Sequence, residues 1–198
     1  MRKLVFFTTT IILFLVFLAP AVLATGIKLI SGNDQPSYSQ TLGVYGDTDI
    51  TQKFVSQVDN LSAVGTSIKN PNLLNRKDII FTLYDENMKL VRTVTINGLN
   101  IEDGSFFKFV FDPIANSKNK IYFFNLKSPA AGPGNLIEVF LSQNPPTWIV
   151  EYNYDQKTYS GGIPIVIFSK PTSKLETVKE VYSNLFSRLL HPYSYKSQ

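Results

Sequence analysis

The chain has 198 residues, enough for one domain of ordinary size, and its 44% hydrophobic and 13% aromatic content can build a core, which excludes a disordered protein. Cysteine is absent and His191 is the single histidine, so disulfides, thiolate nucleophiles and Cys-ligated zinc are excluded, together with most His-based hydrolytic arrangements. The formal charge is +4; without Arg2 and Lys3 the 19 basic residues become 17 against 15 acidic ones, and a balance of +2 gives no electrostatic footprint for nucleic acid.

Residues 1–24 begin with Arg2-Lys3, continue as an apolar run from Leu4 to Leu18, and end at Val22-Leu23-Ala24. This pattern predicts a secretory signal peptide cut after Ala24. The alternative is an uncleaved anchor, because Leu4 to Leu23 is about 20 residues and just spans hydrocarbon. Either reading places the rest of the chain outside the cytoplasm, secreted or held at the cell envelope. Residues 25–49 are polar and turn-rich, with Gly32-Asn33-Asp34 and Pro36, and read as a lead-in segment that pairs loosely with a sheet edge and carries little core.

Residues 50–169 read as a succession of roughly nine short strands closed by turn chemistry. Ile50 to Val58 and Leu61 to Ile68 meet at Asp59-Asn60, and a loop holding Pro71 follows. From Asp78 to Tyr84 the two-residue period sets Ile79, Phe81 and Leu83 on one face and Ile80, Thr82 and Tyr84 on the other. A turn at Asp85-Glu86-Asn87-Met88 returns the chain from Lys89 to Ile96, and Asn97-Gly98 closes this hairpin with a dipeptide suited to positive φ. Phe106 to Phe111 puts Phe107, Phe109 and Phe111 on one face, a loop from Pro113 to Asn119 follows, and Ile121 to Leu126 is again short and aromatic. The turn-rich Ser128 to Asn135 precedes Leu136 to Leu141, then come Trp148 to Tyr154 and Ile163 to Phe168. Pro164 has no N–H for a ladder, so it belongs at an edge or ahead of the pairing. Many short strands without helical periods between them predict an all-β, antiparallel β-sandwich or jelly roll.

The period changes in the tail. Leu175, Val178, Val181, Tyr182, Leu185, Phe186, Leu189 and Leu190 recur at threes and fours, predicting an amphipathic helix over 173–190 with Ser173 and Glu176 as a capping box and Pro192 beyond its end. Its apolar face packs on the sandwich, self-associates, or lies at a membrane surface. Membrane contact is therefore open through residues 1–24 or through this helix.

No catalytic constellation is visible. His191 beside Pro192 suits a helix end, and the acidic pairs Asp47/Asp49 and Glu102/Asp103 suit turns before catalysis. They could also offer oxygens to calcium, but no EF-hand calcium loop is present and no metal or other cofactor is assigned. Aromatics are the better lead: the two-residue period predicts that Trp148, Val150, Tyr152 and Tyr154 share one face of a strand, and Tyr38, Tyr45 and Tyr159 lie near turns. Flat rings with a polar edge stack on the apolar face of a sugar, so Trp148, Tyr152, Tyr154 and Tyr45 are the candidate ligand-binding residues. The alternative is that the same rings fill the sandwich.

The order of motifs adds a further expectation. Phe81-Thr82-Leu83-Tyr84-Asp85 precedes Leu90-Val91-Arg92, followed by Phe109-Val110-Phe111-Asp112-Pro113-Ile114, Ser117 and Lys120 leading to Tyr122, Phe124 and Leu126, then Ser128-Pro129, Gly134-Asn135 and Tyr159-Ser160-Gly161-Gly162. From Ile50 to Phe168 the series resembles the galactose-binding-like jelly-roll domains of bacterial envelope proteins. The resemblance implies a non-catalytic module whose ligands are held by loops at one end, although no sugar-binding motif of that family matches residue for residue. The expected function is thus an exported, non-enzymatic module binding a carbohydrate or a cell-envelope protein. The alternative is a structural or assembly subunit that associates through the sandwich edge or the C-terminal helix.

Overall fold

A computed structural model describes residues 5–14, 18, 30–32, 40–102, 105–142, 144–170, 175, 178–179, 182–183 and 186. The chain divides into two units, residues 1–30 with 171–198, and residues 31–170. In the first unit residues 5–14 are helical, and Thr9 and Thr10 donate their hydroxyls back to the carbonyls of Val5 and Phe6 at 2.8 Å. Among the described residues no helix is long and apolar enough to cross a membrane. Leu175, Val178, Lys179, Tyr182, Ser183 and Phe186 are helical positions in the tail. The rest of the expected 173–190 helix, the cleavage region around Ala24, Tyr38, Asp103 and His191 lie outside the described residues.

The strands, all in the second unit except for Ile30, are β1 (Ile30–Ser31), β2 (Gln40–Val44), β3 (Ile50–Val55), β4 (Leu61–Lys69), β5 (Asp78–Asp85), β6 (Leu90–Asn97), β7 (Ser105–Ile114), β8 (Ile121–Lys127), β9 (Ile137–Leu141), β10 (Ile149–Tyr154), β11 (Lys157–Tyr159) and β12 (Ile165–Ser169). They form two six-stranded sheets whose named pairs are antiparallel. One has the order β1-β12-β4-β9-β2 with β7 also on β4, and the other β11-β10-β3-β8-β5-β6. These are called the β4 sheet and the β8 sheet. Between β2 and β12 the chain changes sheet at every step except the hairpins β5–β6 and β10–β11. All nine expected strands are present, and β1, β2 and β11 are additions.

The alternation read from the sequence sets the core. Ile79, Phe81 and Leu83 of β5, Phe124 and Leu126 of β8, and Ile50 and Phe54 of β3 are fully buried against Val64, Ile68 and Phe109 of the β4 sheet. Phe81 stacks on Phe109 of the opposite sheet with ring centroids 4.7 Å apart and planes 12° apart, and on Phe124 beside it at 5.6 Å. These contacts make the two sheets a face-to-face sandwich, in which each fully buried Phe contributes roughly 2–3 kcal/mol of apolar transfer. Val44 of β2 is also fully buried, so the lead-in segment supplies core as well as an edge strand paired to β9 from Gln40–Leu141 to Val44–Ile137.

Two local expectations change. Asn97 (φ −81°) lies outside positive φ and Gly98 is not among the positive-φ glycines; Gly98 is required because a Cβ there would collide with the Asn75 carbonyl oxygen, while Asn97 Oδ1 accepts from Leu99 N–H at 3.0 Å. Asn75 belongs to a buried set that holds the β4–β5 loop: Asn70 Nδ2 donates to the carbonyls of Asn75 (2.9 Å) and Gly98 (2.8 Å), and Asn75 N–H donates to Asn70 Oδ1 (2.9 Å). Pro113 does not open a loop, because β7 runs on to Ile114. Among the described residues β7 pairs only with β4, so one edge is free to accept a residue without an N–H. Pro164 behaves as expected: the ladder starts one residue later, at Ile165–Thr66, and the Pro164 carbonyl accepts from Thr66 Oγ1 at 2.9 Å.

Candidate functional site

The expected aromatic face on β10 is broken by a bulge. Ile149 pairs with Phe54 and Glu151 already pairs with Lys53, so one residue of β10 is left over between them. Ile149 and Tyr152 therefore both point inward, and Val150 is 44% exposed. Trp148 precedes the strand, its carbonyl accepts from Val55 N–H at 2.8 Å, and it packs against the core. Tyr154 is half-buried against the same core and donates its hydroxyl to the Gly43 carbonyl of β2 at 2.8 Å, a tie between the sheets. Tyr45 is half-buried at the end of β2, in a bridge with Thr48. The expectation of one shared face is thus corrected in part: Tyr152 and Tyr154 share a face, which is the inward one, Val150 leaves it, and Trp148 and Tyr154 help to fill the sandwich.

The cause of the bulge is Gln52, fully buried on the inward face of β3. Its Nε2 donates to the carbonyls of Lys53 (2.6 Å) and Glu151 (2.8 Å), and its Oε1 accepts from Ile163 N–H at 2.8 Å. A buried amide must be satisfied, and this one is satisfied by bending β10 and drawing in the segment ahead of β12. Gly162 follows from it, since a Cβ there would collide with Ile149 Cγ2 and come within 2.8 Å of Gln52 Oε1. Ser142 and Gly162 exchange both backbone hydrogen bonds, at 2.8 and 3.1 Å.

Beside this clamp lies a recess of about 410 Å³ lined by Gln40, Leu141, Ser142, Asn144, Tyr152 and Ser160. Tyr159 of β11 stands opposite Tyr152 in register and stacks on it, with centroids 5.3 Å and planes 17° apart, and its own ring is 40% exposed. The recess therefore joins hydroxyl and amide groups to an exposed ring. Of the expected residues, only Tyr152 lines it. Tyr159, Asn144 and Ser160 were missed as site residues, and the signal for Tyr159 was its place beside Ser160-Gly161-Gly162. Burial, then the neighbouring Tyr159, pushes the Tyr152 phenol above its ordinary value; burial, then Tyr45, Asp155 and Tyr159, does the same to Tyr154. Both stay neutral hydrogen-bonding groups at physiological pH.

The acidic candidates are engaged or dispersed. Asp49 Oδ2 accepts from Asn125 Nδ2 at 2.8 Å and pairs with Lys127 Nζ at 3.3 Å, while Asp47 and Glu102 are exposed. Among the described residues no three His, Cys, Asp or Glu side chains are grouped as a metal site. A second cavity, about 260 Å³, is lined by Asp85, Glu86, Val91, Ile114, Lys120, Ile121 and Tyr122. Burial, then Asp85 and Asp59, raises the Tyr122 phenol there, and Arg92 opposes them. Compared with known proteins, the chain matches no family model and no curated protein.

Proposed function

We propose that this protein is an exported, non-catalytic β-sandwich module of the galactose-binding-like jelly-roll kind, which binds carbohydrate of the cell envelope in the recess beside Tyr152 and Tyr159. The observation that carries the reading is the joining of a stacked tyrosine pair, one ring open, to Gln40, Ser142, Asn144 and Ser160 around about 410 Å³ of space. A sugar presents an apolar face and a rim of hydroxyls, and such a site answers both. Binding of labelled oligosaccharides on a glycan array tests it. Tyr159→Ala and Asn144→Ala should each weaken a bound oligosaccharide about tenfold, the loss expected when one stacking or hydrogen-bonding partner worth about 1.4 kcal/mol is removed. Absence of binding to any glycan by the unsubstituted chain overturns the reading.

A second reading, an assembly subunit joined through the sandwich edge, is favoured by β7, a ten-residue strand paired on one side only among the described residues.

A further inference from the structure

The inward face of β5 does not end on an apolar residue. After Ile79, Phe81 and Leu83 the two-residue period brings Asp85 to the same face, and the ladder sets it opposite Tyr122 of β8. The Tyr122 ring belongs to the core, 3% exposed and 5.9 Å from the Phe54 ring. Its hydroxyl has no hydrogen-bond partner among the described residues, in contrast to that of Tyr154, which donates to the Gly43 carbonyl. Nor is it sealed in the interior: among the described residues the buried side-chain atom with neither a partner nor accessible surface is Asn125 Oδ1. Tyr122 instead lines the cavity of about 260 Å³ between the β5–β6 turn and the β7–β8 loop.

Asp85 is fixed in place beside it. Its Oδ1 accepts from Asn87 N–H at 2.9 Å and Lys89 N–H at 3.0 Å, while its Oδ2 has no partner among the described residues. Half-buried Val91, Ile114 and Ile121 give the cavity apolar walls, and exposed Glu86 and Lys120 stand at its rim. Among the described lining residues two carboxylates face one ammonium, which disfavours an anion as occupant. The Tyr122 phenol reports the same sign: burial raises it first, and Asp85 and Asp59 raise it further against the opposing Arg92. Ordinary ligand pockets begin at about 300 Å³, so the occupant is small. Water could satisfy the phenol but would leave three apolar side chains wet. A cation with a hydrocarbon body answers all of these groups at once, because an ammonium forms charge-assisted bonds to a carboxylate already held in position.

We propose that this cavity binds a small primary amine, whose ammonium donates to Asp85 Oδ2 and to the Tyr122 hydroxyl oxygen and whose short hydrocarbon body lies on Val91, Ile114 and Ile121. The site is separate from the recess beside Tyr152 and does not rest on the carbohydrate reading.

An amide NMR titration of the full chain with pentylammonium chloride tests it, with pentanol and sodium pentanoate as controls. The amides of Asn87 and Lys89, which bond Asp85, should shift with pentylammonium and with neither control. Asp85→Asn should weaken that binding about tenfold or more, the loss expected for one hydrogen bond to a charged group. Tyr122→Phe should weaken it severalfold at an unchanged melting temperature, because the deleted hydroxyl bonds nothing within the protein. Should Asp85→Asn fail to fold, Tyr122→Phe decides alone. Norleucine, which is pentylamine with a carboxylate on the carbon that bears nitrogen, identifies the source: tighter binding than pentylammonium assigns the site to an α-amino acid with Lys120 on its carboxylate, and weaker binding assigns it to a simple amine. Absence of shifts with pentylammonium, equal shifts with pentanol or pentanoate, shifts of the same amides with calcium chloride alone, or unchanged pentylammonium affinity in Tyr122→Phe overturns the proposal.

Discussion

At the scale of single residues, the informative positions are those where the chain bears a local cost for a distant contact. Asp155 (φ 48°) and Gln156 (φ 63°) make a two-residue turn between Tyr154 and Lys157, both in the left-handed region. This is the hairpin geometry that Asn-Gly usually supplies, and its absence in Asp155-Gln156 hid β11 from the sequence reading. An L residue with a long side chain is strained there by about 1–2 kcal/mol. Gln156→Gly should therefore raise stability by about 0.5–1 kcal/mol after the flexibility cost of glycine, read as a higher urea midpoint at unchanged slope. A lower midpoint would show that Gln156 makes a compensating contact.

At the scale of elements, β7 shows how a strand can be legible in its faces and illegible in its ends. Phe109 is fully buried, Phe107 and Phe111 pack on the core, and Val110 is 53% exposed, as the two-residue period requires. The strand nevertheless passes through Pro113, with two extra residues of β7 between the pairs Leu61–Ile114 and Ala63–Val110. Arg92 covers this end, donating through Nε to the Asp112 carbonyl at 3.1 Å and through Nη2 to the Pro113 carbonyl at 3.3 Å. Among the described residues the remainder of this edge pairs with no other strand, and a long unpaired edge is a template for another strand. If copies of the chain pair there, Val110→Lys should abolish the association in sedimentation equilibrium without lowering the melting temperature. A chain that is already monomeric at high micromolar concentration would remove the assembly reading through β7.

At the scale of the whole sandwich, three phenols report on how tightly the sheets close. Tyr122, Tyr152 and Tyr154 are all raised above 10.0, with burial the largest cause for each. The folded chain then holds these protons more tightly than the unfolded chain does. Their contribution to stability is present in full below the unfolded tyrosine value near 10 and declines as pH rises through the raised folded values. Urea midpoints should stay level in this respect up to about pH 9.5 and fall from there to pH 11, in step with the ultraviolet signal of tyrosinate. Tyrosinate appearing in the folded chain at the ordinary pH, with no loss of midpoint, would mean that the phenols are solvated.

The sequence by itself determined nine of the twelve strands and the inward faces of β5 and β7, because alternation and turn chemistry act between neighbours in the chain: Ile79-Phe81-Leu83 and Phe107-Phe109-Phe111 could be read directly. It did not determine which aromatics stay open. Tertiary structure decided that, because the buried amide of Gln52 on β3 meets the Glu151 carbonyl at a one-residue bulge of β10, and Ile149 and Tyr152, not Val150, face inward. Cross-strand register was equally invisible, since it sets Thr51 of β3 opposite Asn153 of β10, 102 positions away. Register is fixed by the pairing of whole strands, and no local pattern encodes it.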